Sequence, residues 1–167
     1  MRFELTHRYA ASVSAVAAAY ADPALYDRLV GLPKLGPPEV LDRTVDGPRV
    51  HLRIRYRFTG QLSSAVTAVV RPDRLTWVED AEHDLDAHTV AWRMVPDHYA
   101  DRLRASGTFR FVAAPDDPAA TIRHTAGELK VRALLVAGAV ERAIVDGLEE
   151  HLDAEVAVVE QFLATRA

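Results

Sequence analysis

The stretch that decides the fold is Arg49-Val50-His51-Leu52-Arg53-Ile54-Arg55-Tyr56-Arg57-Phe58. Val50, Leu52, Ile54, Tyr56 and Phe58 take every second position, and arginines and a histidine fill the positions between. Side chains alternate across a strand, so this segment has one dry face and one wet face, as antiparallel sheets covered on one side do. Residues 102–113 repeat the pattern, with Leu103, Ala105, Gly107, Phe109 and Phe111 inward and Arg102, Arg104, Thr108 and Arg110 outward.

Working outward, further strands are predicted at 39–46, 62–71, 74–82, 87–95 and 119–130. Turn signals separate them at Asp46-Gly47-Pro48, Arg71-Pro72-Asp73, Asp84-Leu85-Asp86, Pro96-Asp97 and Pro115-Asp116-Asp117-Pro118. Upstream, Arg2–Tyr9 alternates cleanly, with Phe3, Leu5, His7 and Tyr9 on one face. Ser12 is placed to cap a helix over Val13–Tyr20, and Asp22-Pro23 to start a second short one. Gly31, Pro33, Gly36, Pro37 and Pro38 then form a rigid connection.

Downstream, residues 133–165 have helical period and no proline. Val136, Val140, Ile144, Gly147, Leu148, Val158 and Phe162 form one wide stripe, opposite Arg142, Asp146, Glu149, Asp153 and Glu160. A stripe this wide suits a helix half enclosed by a sheet. On this layout Val145, Val156 and Leu163 face outward. The expectation is one α+β domain over residues 1–167: a curved antiparallel sheet of about seven or eight strands, largely a meander, wrapped around a long C-terminal helix.

The bulk numbers fit one globular domain. The chain has 167 residues, 49% hydrophobic and 26% charged, enough to bury a core without staples. A net charge of −4 with both signs scattered gives no footprint for nucleic acid. No cysteine is present, which excludes disulfides, thiolate chemistry and Cys-based zinc sites. The first residues lack a signal-peptide core, and the longest apolar run, Ala133–Val140, is far short of the ~20 residues of a membrane span. A cytoplasmic location is the expectation.

The element order resembles the START/Bet v 1-like superfamily, the helix-grip fold shared with polyketide cyclases and aromatases. The resemblance covers nearly the whole chain. It rests on the strand Arg2–Tyr9, the short helices within 12–32, and the junction Gly127-Glu128-Leu129-Lys130-Val131-Arg132 running into Leu134-Leu135-Val136-Ala137-Gly138-Ala139-Val140-Glu141. That junction is similar to a bacterial branch of unknown function. The resemblance implies an apolar cavity between sheet and helix for a lipid, isoprenoid or polyketide-like molecule. It carries over no catalytic residue and no cofactor, and fold alone does not fix function.

Within the helical stripe, His151 and Glu155 lie one turn apart, so their side chains can meet. Burying such a pair costs several kcal/mol unless partners satisfy it. It either orients a ligand in the cavity or is satisfied by an arginine or by the open end. On the strands, Trp77 and Glu79 share parity with Leu75; His88 with Val90, Trp92 and Met94; His124 and Glu128 with Ile122. The cavity-lining candidates are Tyr9, Tyr56, Trp77, Glu79, His88, Trp92, Phe109, His124, Val140, Ile144, His151 and Glu155, a mostly apolar set with a few polar points. Glu79 opens a polar run to Asp84, so the strand could equally leave the core there.

Residues 83–88, His-Asp-Leu-Asp-Ala-His, have metal-ligand types but read as an acidic turn, and no metal is expected. No HExxH, P-loop, GxGxxG or GxSxG motif is present, and Ser12, Ser14, Ser63, Ser64 and Ser106 lack a His/Asp context. The ridge Arg49, His51, Arg53, Arg55, Arg57 is read as neutralised by neighbouring acids such as Asp42 and Asp46, with peripheral contact to anionic headgroups as the alternative. Three functions follow. The preferred one is binding or carriage of a hydrophobic small molecule; the rivals are a cyclase/aromatase-like enzyme using cavity His and Glu, and an interaction module with a filled cavity. Monomer and homodimer both stay open.

Overall fold

A computed structural model describes residues 1–62, 64–67, 70–133 and 137–166. The order is β1 (Arg2–Tyr9), α1 (Val13–Tyr20), α2 (Pro23–Tyr26), β2 (Glu39–Asp46), β3 (Arg49–Arg57), α3 (Ser64–Thr67), a 3-10 turn (Pro72–Arg74), β4 (Thr76–Asp84), β5 (Thr89–Pro96), β6 (Leu103–Ala114), β7 (Asp117–Val131) and α4 (Ala137–Ala164). All seven strands form one antiparallel sheet, ordered β1-β7-β6-β5-β4-β3-β2. Strands β2 to β7 are a meander, and β1 pairs with β7.

Local chemistry sets the element starts. Ser12 Oγ accepts the Ala15 N–H at the head of α1, and Asp22 accepts the Ala24 N–H at the head of α2, with Pro23 in the first turn. α4 has 28 residues, about 40 Å at ~1.5 Å per residue. Its buried face packs between β1, β7 and α1.

Two glycines sit in the middle of the sheet's inner face. Gly107 and Gly127 are register partners on β6 and β7, flanked by Trp92 on β5 and Phe3 on β1. A Cβ on Gly107 would run into the Ala126 carbonyl and the Trp92 ring, and one on Gly127 into the Phe3 ring. The two rings lie over bare backbone, a close approach that glycine alone allows.

Three expectations are corrected. Among the described residues of 62–71 there is no strand: 64–67 are helical, 72–74 are a 3-10 turn, and β3 pairs directly with β4. The β-branched content predicts a strand, but Ser64–Thr67 closes a single helical turn instead. Ser63, Ala68 and Val69 of that segment, and Leu134, Leu135 and Val136 of the junction, lie outside the described residues. Val145 is buried, and Val156 and Leu163 are half-buried against the core, because neighbours cover α4 on its flanks as well as its central stripe. The arginine ridge does meet acids, but on the other side from β2. Arg49 lies 3.6 Å from Asp84, His51 2.6 Å from Asp80 and Arg55 3.4 Å from Asp97.

Candidate functional site

A cavity of about 520 Å³ lies between the concave face of the sheet and α4, within the range of small-molecule sites. Tyr56, Trp77, Trp92, Met94, Ala105 and Phe109 line it from the sheet, and Val140, Ile144, Leu148 and Leu152 from the helix. It opens where β4 and β6 begin and β7 ends, since the exposed Arg74, Arg102 and Arg132 line it there. Tyr20 and Tyr26, from α1 and α2, line it too.

Of the sequence candidates, Tyr56, Trp77, Glu79, Trp92, Phe109, Val140, Ile144, His151 and Glu155 line the cavity, and three do not. Tyr9 is buried behind it, its hydroxyl 3.0 Å from that of Tyr20. His88 sits at the β4–β5 turn with φ 52°, its Nε2 3.2 Å from Ser14 Oγ. His124 and Glu128 are exposed on the outer face. Ile122 sets the wrong parity for β7, whose inward face carries Thr121, Arg123, Thr125, Gly127 and Leu129. Gly127 and Leu129 held the correct phase; a polar Arg123 between them concealed it. In the 83–88 segment His83 points inward, Asp84 pairs with Arg49, and His88 turns to Ser14, so the candidate ligands diverge. Among the described residues no group of three or more His, Asp or Glu is placed to hold a metal.

Arg123 organises the polar part of the wall. It is 0% exposed, with its guanidinium 5.0 Å from the Tyr20 ring centre and 5.6 Å from those of Tyr9 and Phe109. Its Nη1 donates to Glu155 Oε1 at 2.9 Å and to the Tyr20 oxygen. The Tyr20 hydroxyl in turn donates to Glu155, which leaves Tyr9 as donor to Tyr20. Nη2 lies 3.3 Å from His7 Nδ1, so that nitrogen accepts and Nε2–H points at Asp153, 3.3 Å away. Burial, then the Arg123 charge, lowers the His7 pKa, consistent with the neutral ring. Burial drives the Tyr20 pKa far up and pushes that of Tyr9 up to about 12. Glu155 therefore has its counter-charge. His151 has a separate partner, its Nδ1 donating to the Pro33 carbonyl at 2.9 Å, and its Nε2 lies 3.8 Å from Glu155 Oε2.

Glu79 is different. It lies on β4 between Ile54 and Met94, and what surface it exposes faces the cavity. Burial raises its pKa to about 7, with a further push from the Glu155 charge and a counter-pull from Arg123; no hydrogen bond contributes. Nearby, Trp92 Nε1, Thr125 Oγ1, Arg123 Nε and both ring nitrogens of His83 are buried with no partner among the described residues. Burial also lowers the His83 pKa to about 4. Sequence parity could have flagged His83, which follows Ala81 on the inner face of β4.

A curved antiparallel sheet gripping a long C-terminal helix over a cavity is the helix-grip fold. The chain matches, over residues 4–163, the family described as "Protein of unknown function (DUF2505)", and it belongs to that family. No curated protein matches it. Solved structures share the fold at low identity. A protein from Thermus thermophilus superposes with TM-score 0.69 at 14% identity, covering 100% of this chain and 99% of that one. The Zhui aromatase/cyclase from a Streptomyces species gives 0.66 at 19%, covering 99% and 94%. A START superfamily protein from Mycobacterium smegmatis gives 0.60 at 13%, covering 99% of both.

Proposed function

We propose that the chain binds or carries a hydrophobic small molecule, of lipid, isoprenoid or polyketide-like character, in the cavity between the sheet and α4. The observation that carries this reading is an open, mainly apolar chamber whose wall holds a carboxyl group, Glu79, without a hydrogen-bond partner among the described residues. An apolar body would fill the chamber, and a hydroxyl or similar donor on it would meet Glu79. The open chamber and the covered flanks of α4 weigh against an interaction module with a filled cavity.

The test is a thermal-shift panel of lipids, isoprenoids and polycyclic aromatics on the wild type and on Ile144→Trp, which narrows the chamber from its helix wall. A ligand present at 100 times its Kd adds about 2.7 kcal/mol of stability. At least one apolar compound should raise the wild-type Tm and lose that effect in the variant. No shift with any compound, or equal shifts in both proteins, sinks the reading.

A second reading, a cyclase/aromatase-like enzyme, is favoured by one observation. A carboxyl poised near pH 7 can take or give a proton, and the charged pair Arg123–Glu155 stands in the same wall. Turnover of a polyketide-like substrate lost in Glu79→Gln, with binding kept, would select it.

A further inference from the structure

The cavity is polar at two places with opposite character. Its wall holds two carboxyl groups, Glu79 and Glu155, and one arginine, Arg123, already engaged by Glu155, Tyr20 and His7. Three further arginines stand at its mouth, each from a different element: Arg74 on the turn before β4, Arg102 before β6 and Arg132 after β7. The Arg132 N–H donates to the Arg102 carbonyl at 2.7 Å, which fixes those two positions side by side. The acids at this end are largely taken elsewhere. Asp73 pairs with Arg71, Asp97 with Arg55, and Glu141 with the Met1 amino group and the Val131 N–H, while Asp101 lies 3.6 Å from Arg102 Nε with both side chains in water. An anionic head driven inward would meet Glu79 and Glu155 and lose its hydration. The same head held at the mouth would meet guanidinium groups that offer paired donors for carboxylate and phosphate oxygens.

We infer that the ligand is an amphiphilic anion that enters apolar end first, its carboxylate or phosphate held at the mouth by Arg74, Arg102 and Arg132. This rests on the cavity-binding reading above and adds the ligand's charge and its direction.

The chain's two tryptophans, Trp77 and Trp92, both line the cavity, so intrinsic fluorescence reads its occupancy directly. The experiment titrates the protein at pH 8 with four compounds sharing one tail, each below its micellar concentration: dodecanoate, dodecyl phosphate, dodecanol and dodecyltrimethylammonium. At least one anion should bind about tenfold or more tighter than the alcohol, with the ammonium weakest and the advantage shrinking as salt rises. The ratio of the two anions tells a fatty-acid-like carboxylate from a phosphate head. In the double variant Arg102→Gln/Arg132→Gln, anion affinity should fall towards that of the alcohol while alcohol affinity stays as in the wild type, which also shows that the variant is folded. Equal affinity for all four, preference for the ammonium, or an anion advantage that survives in the variant overturns the proposal and leaves the cavity reading standing. No binding by any of the four overturns both.

Discussion

Replacing Glu79 by glutamine isolates the energetic consequence of a carboxyl group in the cavity wall. Burial lifts its pKa from an ordinary 4.5 to about 7. Each tenfold change in proton affinity is about 1.36 kcal/mol, so the ionised form destabilises the fold by up to about 3 kcal/mol. Solvent reaching the cavity screens part of this, and about 1–3 kcal/mol is the expected effect. The direction follows from proton binding. Between about pH 4.5 and 7 the folded chain holds the proton that the unfolded chain has released, so stability falls as pH rises through that window and levels off above it. Glutamine has the same shape and cannot ionise. The variant should therefore be more stable than the wild type at pH 8 by about 1–3 kcal/mol, or roughly 3–10 °C in Tm for a domain of this size. Near pH 4.5 the gain should disappear. Urea melts of both proteins across pH 4.5–8.5 read the difference directly, because other titrating groups cancel. A gain independent of pH, or a glutamine variant less stable at pH 8, refutes the placement of Glu79 in an apolar wall.

Further substitutions probe the rest of the wall. Glu155→Gln leaves the Arg123 charge buried without a counter-ion and should cost about 3–5 kcal/mol, whereas the double variant Arg123→Met/Glu155→Leu should recover most of the loss, as a double-mutant cycle in urea would show. His83→Leu removes two ring nitrogens that have no partner among the described residues and should stabilise by about 1–3 kcal/mol. Its gain should be larger at acid pH: the wild type loses stability as pH falls from 6.5 to about 4, where the unfolded chain protonates and the buried ring does not. Gly107→Ala drives a methyl into the Ala126 carbonyl and should cost about 1–3 kcal/mol or more, while Gly127→Ala, which meets the movable Phe3 ring, should cost less in the same thermal melts.

The fold was legible because its signals are strong and local. The alternation of Arg49–Phe58, the caps Ser12 and Asp22, and the proline-free helical period of residues 133–165 each point to one element, and the order of elements leaves one economical packing. The lining of the cavity was legible where apolar parity was clear, as at Tyr56, Trp77, Trp92, Val140 and Ile144. It failed where buried polar residues occupy the inward positions of a strand. On β7, Arg123 and Thr125 take those places and Ile122 points away, so hydrophobicity alone assigned His124 to the wrong face. The significance of Arg123 is tertiary: its counter-charge comes from α4 and its hydroxyl partner from α1, far away in sequence. Glu79 looked like the start of a polar run, and only the pairing of β4 with β3 and β5 shows that it is enclosed.

The binding site proposed here is the space between the sheet and α4. A crystal structure with an ω-brominated dodecanoate tests it most directly, since anomalous scattering locates the bromine without interpretation of the chain. Bromine is expected inside the cavity, between Glu79 on β4 and His151 on α4, with the carboxylate at Arg102 and Arg132. Bromine found only on the outer surface, or a cavity closed by its own side chains, would contradict it.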